Sequence, residues 1–230
     1  MVSYEQIISE LRKMANPENV KGMEKFGIST KNALGVSVTE LRKMAKDIRS
    51  NHILAEKLWA SEIHEARILA AMVEEPDKVS ENQIERWVND FDSWDVCDQC
   101  CSNLFDKTKW AYQKAFEWSS RDKEFVKRAG YVMMAVLAVH DKEAEDKKFI
   151  PFFRLIKKGA NDERNFVKKA VNWALRQIGK RNIVLNAQAI AVAKEIASLD
   201  SDSAKWIAAD AIRELESIPV EARLKGASGK

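Results

Sequence analysis

One phrase occurs twice in this chain. Phe125-Val126-Lys127-Arg128-Ala129 returns 41 residues later (125 to 166) as Phe166-Val167-Lys168-Lys169-Ala170, and about 40 residues further on Trp206-Ile207-Ala208-Ala209 opens a segment of similar pattern. A unit of this length holds two helices, and a single helix pair cannot bury its own apolar face, so neighbouring units must stack. Composition agrees with helices throughout. Gly (8) and Pro (4) are scarce in 230 residues, and 46% hydrophobic residues suffice for a continuous core.

The expected fold is all-α, a HEAT-like helical-repeat solenoid with a concave basic face. Apolar periodicity predicts helices near 3–15, 18–26, 38–49, 52–60, 62–74, 81–91, 94–105, 108–118, 123–139, 145–158, 163–179, 184–198 and 203–216. Ser3, Ser80, Ser93 and Ser201 are the expected N-caps. Residues 1–218 are expected to form a single repeat domain, and 219–230 a flexible tail.

Several function classes fall away. The first residues lack the basic start and apolar run of a secretory signal, and no stretch has the apolar length of a membrane span. Cys97, Cys100 and Cys101 crowd within five residues, which suits small buried thiols in a reduced, cytoplasmic setting. Cys97 and Cys100 make half of a zinc site with no second half, and His52, His64 and His140 are scattered, so no metal is expected. No Gly-rich phosphate loop or nucleophile elbow is present, and no cofactor is expected.

Charge is unevenly spread. Arg121 to Arg181 holds 16 Lys/Arg against 8 Asp/Glu (+8), whereas Glu81 to Asp106 holds seven acids against one arginine (−6). On the helix from Arg164 to Lys180, Val167, Val171, Ala174 and Ile178 form the apolar stripe; Lys169, Trp173, Arg176 and Lys180 fall on the opposite side. An indole on a cationic face either stacks on a nucleotide or packs beneath a neighbouring element. The helix from Glu124 to Val139 is apolar almost all round after its first turn, with Lys127 and Arg128 its only charges within. An arginine there needs an anion, either a carboxylate of the fold or a phosphate of a ligand. In Ser93-Trp94-Asp95-Val96-Cys97-Asp98, the helix dipole accounts for Asp95 in the first turn. Asp98 lies four residues from Trp94 on the same face, beside Cys97 and Cys101, which marks it for a role.

Together, Leu58-Trp59-Ala60-Ser61-Glu62-Ile63-His64-Glu65-Ala66-Arg67, Trp94-Asp95-Val96-Cys97-Asp98, Phe125-Val126-Lys127-Arg128 and the run from Phe166 to Arg176 resemble the AlkD-like DNA alkylation repair family of HEAT-like repeat alkylpurine DNA glycosylases. The likeness runs from about Gly22 to Leu215. It implies removal of cationic N3- and N7-alkylated purines from duplex DNA. The family's catalytic aspartate matches Asp98, its two site tryptophans Trp94 and Trp173, and its site arginine Arg128. The chain departs from relatives at Gly22-Met23-Glu24, where an aromatic is common, and at Ser93, where a tryptophan often stands. Lys127, Arg128, Lys168, Lys169, Arg176, Lys180 and Arg181 are the expected DNA contacts. The expected partner is duplex DNA containing alkylated bases, engaged by a monomer. A non-catalytic relative that binds branched or damaged DNA, and a protein-interaction scaffold, are the alternatives.

Overall fold

Local signals decide where each helix begins. The computed structural model describes residues 2–227, and among them all regular structure is helical. The helices are α1 (Tyr4–Lys13), α2 (Pro17–Lys25), α3 (Val38–Ile48), α4 (His52–Ala60), α5 (His64–Val73), α6 (Glu81–Asn89), α7 (Trp94–Asn103), α8 (Ala111–Ser119), α9 (Glu124–His140), α10 (Ile150–Gly159), α11 (Asn165–Gly179), α12 (Ile183–Ala197), α13 (Asp202–Leu215) and α14 (Ile218–Ala227). Ser3, Ser80 and Ser201 cap α1, α6 and α13 by accepting a first-turn backbone N–H, as expected. Ser93 occupies the cap position of α7 without a capping bond, because its hydroxyl donates to Asp95 instead.

Two segments differ from expectation. Helix α10 begins at Ile150, five residues later (145 to 150), since Asp146–Lys148 forms a 3-10 turn and Pro151 suits only a first helical turn. The segment expected to be a flexible tail is helical from Ile218 to Ala227, with Val220 and Leu224 buried one turn apart. Two apolar residues can seat a short helix but are too few to betray it as a periodicity. Residues 228–230 of that tail lie outside the described residues. Among the described residues no helix is long and apolar enough to cross a membrane.

The helices group into two compact units, Met1–Lys109 and Trp110–Lys230. In the first, α5 packs against α1, α3, α4 and α7. Trp59 and Trp87 stack at 4.1 Å and donate their indole N–H groups to Asp90 and Glu56, which lets two large rings lie buried with their polar atoms satisfied. In the second, α9 packs between α8 and α11, and α11 also packs on α12 and α13. Every residue from Ala129 to Ala138 is buried, as the all-round apolar pattern of α9 requires. Gly130 allows the close approach of α8: a Cβ there would stand 2.2 Å from the Ser119 backbone nitrogen. The duplicated phrase meets itself, with the rings of Phe125 and Phe166 5.6 Å apart.

Bonds between successive repeats recur at fixed separations. In the first unit His64–Asp95 and Trp87–Glu56 each span 31 residues. In the second, Arg128–Phe166 and Asn172–Asp210 each span 38. The difference follows helix length, since α5 and α7 have 10 residues each while α9 and α11 have 17 and 15.

Candidate functional site

Helix α7 carries two carboxylates one turn apart. Asp95 lies against the interior: its Oδ2 is 2.8 Å from His64 Nε2, and its Oδ1 accepts the Ser93 hydroxyl at 2.5 Å. Burial pushes the Asp95 carboxyl up, but the hydrogen bond and charge of His64, with help from Ser93, hold it below the usual carboxylate value. His64 is the converse. Burial drives its pKa down, yet Asp95, Glu65 and Asp92 raise it above the ordinary histidine value. Val96, Cys97, Cys100 and Cys101 are buried on the core side of α7, and burial raises the thiols of Cys100 and Cys101. Trp94 and Asp98 are half-buried, at the edge of this core stripe beside Cys101.

The loop after α2 is tied to this helix. The indole of Trp94 donates to the Phe26 carbonyl at 3.1 Å, and the Phe26 ring is 72% exposed beside it. Ser29 donates its backbone N–H to Ser93 Oγ at 3.3 Å and its hydroxyl to Asp92 at 3.1 Å. Glu65, itself buried, accepts the backbone N–H groups of Leu34 and Gly35 at 2.8 and 2.6 Å. Gly35 has φ +77 and a Cβ there would strike the Asn16 carbonyl, so this turn depends on glycine. Ser93 thus supplies a hydroxyl that joins α7 to the loop. An aromatic does stand near the start of the chain, but it is Phe26, just beyond Gly22-Met23-Glu24.

In the second unit, Arg128 is buried, and its Nη1 donates to the Phe166 carbonyl at 2.6 Å, joining α9 to the first turn of α11. Lys127 sits 3.2 Å from Asp162, whose carboxyl is lowered to about 2, chiefly by its hydrogen bond from Arg164. On α11, Val167, Val171, Ala174 and Ile178 are fully buried and Trp173 is half-buried, as the helical-face reading requires. The cations beside Trp173 are not a bare basic stripe. Arg176 and Lys180 both bind Glu214 of α13, and Arg176 Nε lies 3.7 Å from Asp210. Those acids stand one repeat further along the chain, outside the window in which the basic excess appears. Arg181 donates to the carbonyls of Ala138, Asp141 and Ala144 at 2.8, 2.9 and 2.9 Å. Lys168 lies 5.4 Å from the Trp206 ring centroid, and Lys169 is exposed.

The structure therefore places Trp94 and Asp98 together on α7 in the first unit, and Trp173 and the seven expected basic contacts, Arg128 among them, in the second. Sequence reasoning missed His64, Glu65, Phe26 and Glu214. The 31-residue separation of His64 and Asp95, shared by other joints of the first unit, is the signal that would have paired them.

The family model for DNA alkylation repair enzymes matches residues 7–215. Uncharacterized proteins of Listeria monocytogenes and Listeria innocua are each 23% identical over 200 residues, which is 85% of this chain and 87% of theirs. A solved structure from "a new family of proteins related to the HEAT-like repeat DNA glycosylases with affinity for branched DNA structures" superposes with a TM-score of 0.79 at 19% identity, covering 97% of this chain and 96% of its own. The superposition shows a shared HEAT-like fold. With the family model spanning nearly the whole helical array, this chain belongs to the DNA alkylation repair enzyme family.

Proposed function

We propose that the protein is a DNA glycosylase that hydrolyses the N-glycosidic bond of cationic N3- and N7-alkylated purines in duplex DNA. The observation that carries this reading is the division of labour on α7. Asp95 is committed to His64 and Ser93, whereas Asp98 lies half-buried with Trp94, one turn before it, at the border of the core stripe.

Alkylation makes the purine cationic, so its departure needs no protonation. The C1′–N bond breaks with its electron pair left on the ring, neutralising it, and positive charge develops on the sugar. The Asp98 carboxylate stabilises that charge and accepts a proton from the water that adds to C1′. The electron-rich face of Trp94 favours the same cation. Trp173 and Arg128 take the sugar and backbone contacts that the family resemblance implies, and Lys168 and Lys169 meet phosphate.

A second reading, binding of branched DNA without base excision, is supported by the affinity described for the structural relative. Methylated duplex DNA separates the two. Wild-type protein is expected to release methylated purines, and Asp98→Asn to do so about 100-fold more slowly. Equal release by both proteins would remove Asp98 from the chemistry. No release by wild type, with tight binding to junctions, would put the second reading in its place.

A further inference from the structure

A polar cavity of about 500 Å³ opens in the second unit where the C-terminal ends of α9 and α11 approach α14. Four cations line it, Lys142, Lys180, Arg181 and Arg223, against one carboxylate, Asp146, which Asn182 already holds at 2.8 Å. Lys180 is balanced by Glu214. The other three have no carboxylate partner among the described residues: Arg181 and Arg223 donate only to backbone carbonyls, Arg223 to that of Lys180.

Arg181 is the fixed element of this wall. Three carbonyls orient its guanidinium, which lies 4.1 Å from the ring centroid of Phe149, and its Nε is shielded from solvent with no acceptor. Carbonyls orient a guanidinium but leave its full charge in place, so against the one carboxylate of Asp146 these three cations leave the cavity a net positive field. Lys142 and Arg223 are exposed and bring further donors to the same space. Several donors around one cavity suit an anion with several oxygens better than a single carboxylate.

We infer that this cavity is a phosphoryl-binding site, with a DNA backbone phosphate as its expected occupant. It adjoins Lys180 at the end of α11, seven residues beyond Trp173 (173 to 180), or about 10 Å along the helix. A phosphate held there anchors the backbone of the strand that Trp173 meets. The backbone source rests on the DNA-binding reading above, whereas the anion chemistry stands on the cavity itself.

The test uses the full chain in two arms. In the first, pyrophosphate is titrated while the side-chain amide signals of Asn182 and Gln177 are followed by NMR, in wild type and in the Lys142→Glu/Arg223→Glu double variant. In the second, affinity for unmodified duplex is measured against salt for both proteins. The site predicts saturable shifts in wild type that the double variant loses, and DNA affinity in the variant reduced about 10-fold or more. The salt dependence should be shallower by about one to two phosphate contacts. Shifts without any change in DNA affinity assign the cavity to a free phosphoryl compound. If wild type binds no DNA, the glycosylase reading fails and the pyrophosphate arm alone decides the cavity. Absence of shifts together with equal DNA affinity overturns the proposal.

Discussion

Asp95 and Asp98 show how little a residue's type says about its work. Both are aspartates near the start of one helix, yet the first is buried against His64 and the second shares a half-buried face with Trp94. The His64–Asp95 pair sets a pH dependence whose sign follows from its two shifts. The raised pKa of His64 contributes stability that is complete below the ordinary histidine value and is lost as pH rises through the raised one. The lowered pKa of Asp95 contributes stability present above the ordinary carboxyl value and lost as pH falls through the lowered one. The ion pair therefore stabilises between those two limits. His64→Gln is expected to cost about 1–3 kcal/mol near pH 6 and less near pH 9, measured as the difference in urea unfolding free energy from wild type. A cost that does not change with pH would mean that the charge on His64 contributes nothing. The dipole account of Asp95 gives it a structural role; its partner escaped notice because the 31-residue separation marks a joint between helices, not a face within one helix.

At the scale of helices, α11 and α13 decide how positive the Trp173 side of α11 is. Glu214 feels burial that raises its pKa, outweighed by hydrogen bonds and charge from Lys180 and Arg176, and so remains ionised between two cations. Glu214→Gln is expected to free both for phosphate. Filter binding across a salt series should then show duplex affinity several-fold higher at low salt, with a steeper salt dependence by about one contact or more, alongside a lower melting temperature. Unchanged affinity would show that this side of α11 does not meet DNA. The buried and exposed sides of α11 were legible in the sequence, because a 3.6-residue period is a property of the helix alone. The neutralisation was not, since it comes from acids 34–38 residues away.

For the whole molecule, repeat architecture predicts a gradient of stability. Each repeat is held by its neighbours, so interior helices have partners on both sides and terminal ones on one. Amide hydrogen exchange should be slowest in α9 and α11, whose middle turns are buried, and fastest in α2, which has no buried residue, and in α14 at the other end. Uniform protection from end to end would instead mean that the chain opens only as one block. Arrays of this kind are readable from a duplicated phrase because both copies must satisfy the same neighbour contact, as the facing rings of Phe125 and Phe166 do.

What the chain's own order of residues determined was the set of helices up to Leu215, their buried stripes, the burial of the three cysteines and the stacking of a repeated unit. All of these depend on interactions within a few residues or on a regular period. Only the tertiary structure decided which charges meet: Asp95 with His64, Glu65 with the turn at Gly35, Glu214 with Arg176 and Lys180, and Arg181 with three carbonyls. Helical periodicity is local, whereas the neutralisation of a charge depends on which residue the packing of a separate helix brings within hydrogen-bond reach.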